Sequence, residues 1–379
     1  MRAAIVHYWL LNMRGGERVV ESLCRLLPDA DVFTLFYDPE RVSPVIRSHP
    51  VKASFLNPFR RYYRSLLPLF PVALESFDLR GYDLVISSES GPAKGVLTSS
   101  NTRHVCYCHS PMRYLWELYP AYLYDWTKSS LRRRIMATLS CPLRVWDYAT
   151  AARVDEFIAN SHNVQRRIWK TYRRESRVVY PPVEVETYSW RPPDDYYLIV
   201  SELTAYKRIE DAVRCFSRTG RRLKIVGEGP EYRLLKEHAK SNVEFCGRVF
   251  PSELRGLYAR CRALLMPGEE DFGMVAVEAM ASGKAVIALG RGGVLESVPP
   301  GDPLAGIFYE QPDQAALESA VIRFEQMEAS VRPAKLQSWA ARFSEARFQR
   351  EMSELIGLES ANVEGAEAAV GETAQRLAS

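Results

Sequence analysis

The sequence lacks any apolar run that approaches the roughly 20 residues needed by a membrane-spanning helix. Its most apolar stretch, residues 66–74, is interrupted by Pro68 and Pro71. Residues 3–11 resemble a short signal peptide, but they include His7 and lack a small-residue cleavage site. We therefore expect a buried first strand there. We also expect a cytoplasmic protein, either free or peripheral at the cytoplasmic face of the inner membrane.

The sequence also lacks a pattern of paired cysteines and a large net charge of either sign. The seven cysteines are odd in number and scattered, which argues against a disulfide framework and favours a reducing compartment. The net charge of +4 is too small to indicate a nucleic-acid partner. The chain has 379 residues, of which 47% are hydrophobic and 25% charged, and this is typical of a soluble protein with two domains.

Two short segments combine basic residues with aromatic or apolar ones. They are FRRYYR at 59–64 and LRRRI at 131–135, the second lying near Trp126 and Trp146 in sequence. Such segments suit contact with an anionic membrane or an anionic acceptor. A solvated helix face explains them equally well.

Apolar, β-branched runs alternate with segments of helical periodicity along most of the chain. In the first half the predicted strands are 3–9, 31–37, 83–88, 104–109, 156–161 and 177–180, with helices at 17–26 and 164–172. In the second half the predicted strands are 197–200, 223–226, 243–246, 263–266, 285–288 and 306–309, with helices at 209–216, 231–240, 252–260 and 274–281. This alternation predicts an α/β protein with parallel sheets covered on both faces.

Prolines at 181–182 and 192–193 bracket a polar stretch that suits a linker. We therefore predict one Rossmann-like domain at 1–185 and a second at 186–340. Helical periodicity at 338–358 predicts a C-terminal helix, within 341–359, that packs back toward the first domain. Residues 360–379 are rich in Ala, Glu, Gly and Ser and lack aromatics, which predicts a disordered tail.

The strongest motif is GEEDFGMVAVEAM at 268–280, which follows a predicted strand and opens a helix. Ligands bind at the carboxyl edge of open α/β sheets, and a helix N-terminus there favours an anion. Glu270 and Glu278 are close enough to share a pocket on this reading. The spacing of Glu270 and Glu278 alone is equally consistent with two surface carboxylates that flank the start of a helix.

Three more motifs follow predicted strands. They are MRGGERV at 13–19, CYCHSPMRY at 106–114 and SELTAYKR at 201–208. The first is not G-x-G-x-x-G, which argues against a nicotinamide site. The Cys-x-Cys-His of the second has no partner cluster with metal-ligand spacing, so we expect no metal site.

The setting E-D-F-G-x-x-x-x-E-A-M-A-x-G at 270–283 resembles the signature of the large retaining family of GT-B glycosyltransferases, number four in the sequence classification. The resemblance implies that Glu278 holds the donor ribose, that Glu270 contacts the transferred sugar and that Lys207 binds the donor diphosphate. It also implies that His109 contacts the donor sugar. Implied donor-binding residues are Gly15, Gly16, Ser201, Arg208, Arg248, Val249, Gly273, Met274 and Val275.

The same resemblance implies a GT-B fold with two Rossmann-like domains that face each other across a cleft. The first domain would bind the acceptor and the second the nucleotide sugar. This chain departs from the family at Glu202 and His162, where Arg is the usual residue, and Arg208 is a candidate to compensate for the first loss. The segment HSPMRYLWELY at 109–119 closely resembles a subgroup of bacterial polysaccharide assembly, many of whose members are mannosyltransferases.

These resemblances imply a retaining hexosyltransferase that uses GDP-mannose as its donor, with UDP-sugars and other GDP-sugars as alternatives, and that requires no metal. The implied acceptor is a saccharide or a polyprenyl-diphosphate-linked saccharide. Front-side attack, in which a donor phosphate oxygen takes the acceptor's proton, is the expected route. Two rivals are an NAD-dependent or epimerase-type oxidoreductase and a non-catalytic or partner-dependent subunit that binds a nucleotide sugar.

Overall fold

The computed structural model describes residues 1–127, 129–299 and 301–358. Contacts divide the chain into two compact units. The first contains Met1–Pro182 together with residues 348–358, and the second contains Val183–Arg347. Each unit has its own parallel sheet and its own hydrophobic core. The predicted tail at 360–379 lies outside the described residues.

The first unit is built on seven parallel strands in the order β3-β2-β1-β4-β5-β6-β7. The strands are β1 Ala3–His7, β2 Asp31–Thr34, β3 Val51–Ala53, β4 Leu84–Glu89, β5 Arg103–Cys108, β6 Glu156–Ala159 and β7 Ser176–Val178. The sequence did not predict β3, because three residues at a sheet edge are too few to show a periodicity. Every residue of β1 and β4 is buried, which is why these strands read as continuous apolar runs.

Helices cover both faces of this sheet. They are α1 Gly15–Leu26, α2 Pro44–Arg47, α3 Phe70–Glu75, α4 Ser130–Thr150 and α5 His162–Tyr172. The backbone N–H of Arg14 donates to the Glu17 carboxylate, 3.1 Å away, and this fixes the start of α1. Ser161 caps α5 by accepting a hydrogen bond from the Val164 N–H at 3.1 Å.

The second unit contains six parallel strands in the order β10-β9-β8-β11-β12-β13. The strands are β8 Tyr197–Val200, β9 Leu223–Val226, β10 Val243–Gly247, β11 Ala263–Met266, β12 Ala285–Leu289 and β13 Gly306–Tyr309. The helices are α6 Ile209–Thr219, α7 Tyr232–His238, α8 Pro251–Arg260, α9 Met274–Ala281, α10 Val294–Ser297, α11 Gln314–Met327 and α12 Pro333–Ala340. The predicted α/β class with two Rossmann-like sheets is confirmed.

The helical periodicity at 338–358 belongs to two helices and not to one. After α12 ends at Ala340, the chain becomes extended at Ser344, and α13 spans Glu345–Ile356. The Ser344 hydroxyl accepts a hydrogen bond from the Arg347 N–H at 3.3 Å, so it caps the second helix. Phe348, Met352 and Ile356, one helical turn apart, are buried in the core of the first unit.

The first unit also contains a buried ionic cluster, which the sequence did not predict. The Lys94 ammonium contacts the Asp147 carboxylate and lies 3.5 Å from the Glu89 carboxylate, and all three side chains are fully buried. Asp147 also accepts hydrogen bonds from Trp116 Nε1 at 2.7 Å and from the Tyr172 hydroxyl at 2.9 Å. The cluster therefore ties α4 to the end of β4 and to α5.

No helix in the described part of the chain is both long enough and apolar enough to cross a membrane. The seven cysteines are all free thiols.

Candidate active site

The second sheet has a switch point between β8 and β11, because the chain runs outward from β8 to β10 and then restarts at β11 on the other side. The loops that follow these two strands, 201–208 and 267–273, leave the sheet at neighbouring carboxyl ends. A crevice forms at such a point in open α/β sheets, and ligands bind in it. Two of the motifs singled out in the sequence are these two loops.

Lys207 and Glu270 meet at this switch point. Lys207 Nζ lies 2.5 Å from Glu270 Oε2, and both side chains keep a small exposed fraction. Burial opposes the charge of Lys207, but the Glu270 carboxylate outweighs it, so the pKa of Lys207 is raised. The site therefore holds a permanent cation beside a carboxylate at the edge of the sheet.

Glycines allow the loops around this pair to pack backbone against backbone. A Cβ at Gly268 would lie 2.6 Å from Lys207 Cα, and one at Gly293 would lie 2.1 Å from the Asp271 carbonyl oxygen. The Gly293 N–H donates to the Glu270 carbonyl at 2.8 Å, and Glu270 forms a parallel bridge with Gly292. The loop after β12 thus supports the backbone of Glu270.

Helix α9 begins directly after this loop. Gly273 has a φ of 93°, a left-handed conformation that favours glycine, and Met274 and Val275 then form the first turn. Glu278, in the next turn, is buried and accepts a hydrogen bond from the Tyr258 hydroxyl at 2.7 Å. Tyr258 thereby fixes one oxygen of the Glu278 carboxylate.

The other predicted residues of the second unit follow strands at the carboxyl end of the same sheet. Arg208 does not point to Glu270: its guanidinium lies 2.7 Å from the Asp211 carboxylate and donates to the Pro312 carbonyl. The Ser201 N–H donates to the Val226 carbonyl at 3.0 Å, and this places Ser201 in the β8–β9 ladder. Arg248 and Val249 follow β10 at the sheet's edge, two strands away from β8.

The first sheet has its own switch point, between β1 and β4, and the remaining predicted residues lie there. Gly15 and Gly16 open α1, and a Cβ at Gly16 would lie 3.6 Å from His109 Nε2 and 3.4 Å from His7 Cε1. His109 Nε2 lies 2.9 Å from the Ser88 hydroxyl, and His7 Nδ1 donates to the Ser88 carbonyl at 2.9 Å. Two histidines and a helix N-terminus therefore converge on Gly16.

His7 is neutral in this setting. Burial, together with the nearby His109, lowers the pKa of His7 to about 3. Because a carbonyl only accepts, the proton of the ring is on Nδ1, and Nε2 is an acceptor. Nε2 is buried and has no hydrogen-bond partner among the described residues.

Of the predicted catalytic residues, Lys207 and Glu270 are in contact, and His109 lies in the other unit. Tyr258 and Ser88 were not predicted from the sequence, since neither belongs to a motif. Each of them is recognised only through a hydrogen bond that joins positions 20 or 21 residues apart. His7 carried one signal, because it ends an otherwise apolar strand at the carboxyl edge.

The two cysteines of the Cys-x-Cys-His segment lie on β5, and His109 directly follows the strand. Cys106 and Cys108 are both buried thiols in the hydrophobic core, and burial raises the pKa of each. Among the described residues, no three side chains of His, Cys, Asp or Glu are grouped so as to hold a metal ion.

Two family models match the chain, one for each half. The model described as Glycosyltransferase Family 4 matches residues 13–187, and the one described as Glycosyl transferases group 1 matches residues 184–342. An uncharacterised glycosyltransferase of Methanocaldococcus jannaschii is 24% identical over 292 residues, which are 74% of this chain and 76% of that protein. The glycogen synthase of Mycobacterium tuberculosis is 32% identical over 135 residues, which are 33% of this chain and 32% of that enzyme.

Solved structures resemble this chain over 94–95% of its length. The Anabaena protein HepE in complex with UDP and glucose has a TM-score of 0.68 and 16% identity, over 95% of this chain and all of that one. The sucrose-phosphate synthase of Thermosynechococcus elongatus has a TM-score of 0.69 and 18% identity, over 94% of this chain and 98% of that one. At such low identity the likeness concerns the fold.

Proposed function

Since this chain belongs to the GT-B glycosyltransferases of group 1 and family 4, whose models together match residues 13–342, we propose that it is a retaining hexosyltransferase that uses a nucleotide sugar. The observation that carries the proposal is the contact of Lys207 with Glu270 at the switch point of the second sheet. The acceptor that we propose is a saccharide or a lipid-linked saccharide of cell-surface polysaccharide synthesis.

Glycosyl transfer has an oxocarbenium-like transition state, with positive charge on the sugar and negative charge on the leaving diphosphate. In our proposal Lys207 meets the charge that develops on the diphosphate, because a fixed cation in a partly buried site stabilises it strongly. Glu270 contacts the transferred sugar from the neighbouring loop. The N–H groups at the start of α1, beside Gly16, add donors for the phosphate in this proposal.

Glu278 is the proposed partner of the donor ribose. Its carboxylate already accepts one hydrogen bond, from Tyr258, which leaves acceptor capacity for ribose hydroxyls. In the first unit, His109 is the proposed contact of the donor sugar, held by Ser88.

We propose GDP-mannose as the donor, on the resemblance of residues 109–119 to the mannosyltransferase subgroup. UDP-sugars are the alternative, since HepE, which shares the fold, was solved with UDP. Retention is proposed to follow front-side attack, with a donor phosphate oxygen as the base and no metal ion required. A glycosyl adduct trapped on Glu270 by a slow donor analogue would replace this route with a double displacement.

The test is titration calorimetry of the purified protein with GDP, UDP, GDP-mannose and UDP-glucose. Lys207→Ala removes a charge-assisted contact and is expected to weaken binding of the preferred nucleotide about 10- to 100-fold. Lys224→Ala is the matched control. It removes another lysine of the same unit that pairs with a glutamate, Glu244, at 3.3 Å. Equal affinities of the two variants would contradict the proposed diphosphate site.

A partner-dependent subunit that binds a nucleotide sugar without turning it over is the second candidate. The observation that favours it is Glu202, an acid in the loop that also carries Lys207. Donor binding without transfer, across a panel of saccharide and lipid-linked acceptors, would support this candidate. Formation of a product whose anomeric configuration, read by NMR, is the same as that of the donor would support the retaining enzyme.

A further inference from the structure

Helix α4 exposes several large apolar side chains to solvent and buries mainly polar ones. Leu131, Ile135 and Val145 are 66%, 50% and 65% exposed, and with 3.6 residues per turn they lie on one side of the helix. The buried residues of the helix are Ser140, Asp147 and Thr150, which are polar, and Leu143. A surface helix of a soluble protein ordinarily buries its apolar side chains and exposes its polar ones.

The buried cluster fixes this orientation. Asp147 on the inner side accepts hydrogen bonds from Lys94, Trp116 and Tyr172, so rotating α4 to bury its apolar side would break all three. A buried carboxylate that loses its partners is strongly destabilising. The outward apolar side is therefore a stable feature of the fold.

The solvent side of α4 is also cationic. Arg132 and Arg134 are exposed in its first turns, and residues 126–146 contain no aspartate or glutamate. The segment 57–69 has the same character, with exposed Phe59 and Tyr62 among arginines and no acidic residue. Leu143 of α4 lies in a buried cluster with Met112 and Leu115, and Leu67 packs against the same cluster, so both segments adjoin it.

We infer that this basic apolar face, formed by α4 and residues 57–69, docks on the surface of a bilayer that contains anionic phospholipids. A helix of 21 residues is about 30 Å long and can lie in the plane of the headgroups, with its apolar side at the acyl boundary. The arginines then meet lipid phosphates. A second copy of the chain fits less well, because two such faces would oppose like charges.

The inference rests on the proposed function in one respect: a lipid-linked acceptor is reached at the surface on which the protein docks. Docking itself does not depend on turnover, so the two proposals are tested separately.

The experiment is co-sedimentation of the full chain with vesicles of phosphatidylcholine alone or of phosphatidylcholine with phosphatidylglycerol. We expect binding to the anionic vesicles that weakens as salt is raised. Ile135→Glu should reduce this binding at least about tenfold, since it removes an inserted apolar side chain and adds a repelled charge. Arg132→Gln should reduce it about fivefold.

Ile322→Glu is the matched control, because Ile322 is another exposed isoleucine, on α11 of the second unit. Both changes are at exposed positions, so their melting curves should match that of the wild type. Equal binding of Ile135→Glu and the wild type, or no preference for anionic vesicles, would overturn the inference. The inference would also be overturned if the wild type formed a dimer that Ile135→Glu dissociates and neither protein bound vesicles.

Nucleotide titration without vesicles separates the two proposals. Vesicle binding with no nucleotide binding would overturn the proposed function and leave the docking face in place. Nucleotide binding with no vesicle binding would overturn the docking face and leave the proposed function in place.

Discussion

Single residues in this protein have their charge set by burial and by one or two neighbours. Lys207 keeps its charge because Glu270 lies 2.5 Å away. His7 and His104 are kept neutral, since burial lowers the pKa of His7 to about 3 and that of His104 to about 4. Glu89 is affected in the opposite direction, since burial raises the pKa of its carboxyl to about 7.

These shifts predict how the free energy of unfolding depends on pH. Below pH 6.5 the unfolded chain protonates both histidines while the folded protein does not, which favours unfolding. Between pH 7 and 4.5 the folded protein binds a proton on Glu89 that the unfolded chain does not bind, and this offsets the effect of one of the two histidines. Urea unfolding should therefore show the free energy of unfolding falling by about 1 kcal/mol per pH unit from pH 6.5 to 5.

His104→Gln removes one of the two histidines and should bring this slope close to zero. The same substitution at exposed His162 is the control and should leave the slope unchanged. A wild-type free energy that is constant or rises as the pH is lowered from 6.5 to 5 would refute the assignment of neutral, buried histidines.

Among the elements, the loops that follow strands and the helix starts beside them determine the candidate site. The loop after β11 is supported by the loop after β12, through the bridge of Glu270 with Gly292 and the close approach of Gly293 to Asp271. Only glycine fits at 293, because any Cβ would lie 2.1 Å from a carbonyl oxygen.

Gly293→Ala is therefore predicted to displace the 268–273 loop and to weaken nucleotide binding at least about tenfold. Gly220→Ala is the control, because Gly220 has a φ of 78° at the end of α6 but nothing within 4 Å of its Cβ position. That change should lower stability by about 1 kcal/mol and leave binding intact. Calorimetric titration of both variants, with urea unfolding beside it, separates a loop effect from general strain.

At the scale of the whole molecule, the chain is two units with separate cores, and the last described helix belongs to the core of the first. Phe348 is fully buried there, in edge contact with Tyr107 of β5 at 5.6 Å between ring centroids. The first unit is thus completed by residues that follow the whole of the second unit in sequence.

Phe348→Ala is predicted to destabilise the first unit by about 3–5 kcal/mol, the effect of removing a buried phenylalanine. The proposed nucleotide site of the second unit should keep its affinity. Calorimetric unfolding and nucleotide titration of the same preparation check both parts. Unfolding of both units at a lowered temperature together with lost nucleotide affinity would show that the two are one cooperative unit.

The sequence by itself determined the α/β class, every strand of the second sheet and six of the seven strands of the first. Buried parallel strands must be apolar along their length, and glycine or polar residues must follow them, so the pattern is local. It also singled out Lys207, Glu270 and His109 as candidate site residues, because each follows such a strand, and their roles stay predictions. The short strand β3 and the break between α12 and α13 were not predictable, since a three-residue edge strand and one serine cap leave no periodic signal.

Only the tertiary structure decided which side chains meet. The contacts of Lys207 with Glu270, of Tyr258 with Glu278 and of Ser88 with His109 join residues 63, 20 and 21 positions apart. Strand order brings them together, and no local pattern records strand order. The outward apolar side of α4 has the same origin. Its residues alone predict an ordinary amphipathic helix, and the side that faces inward is chosen by the partners of Asp147, which come from three other segments.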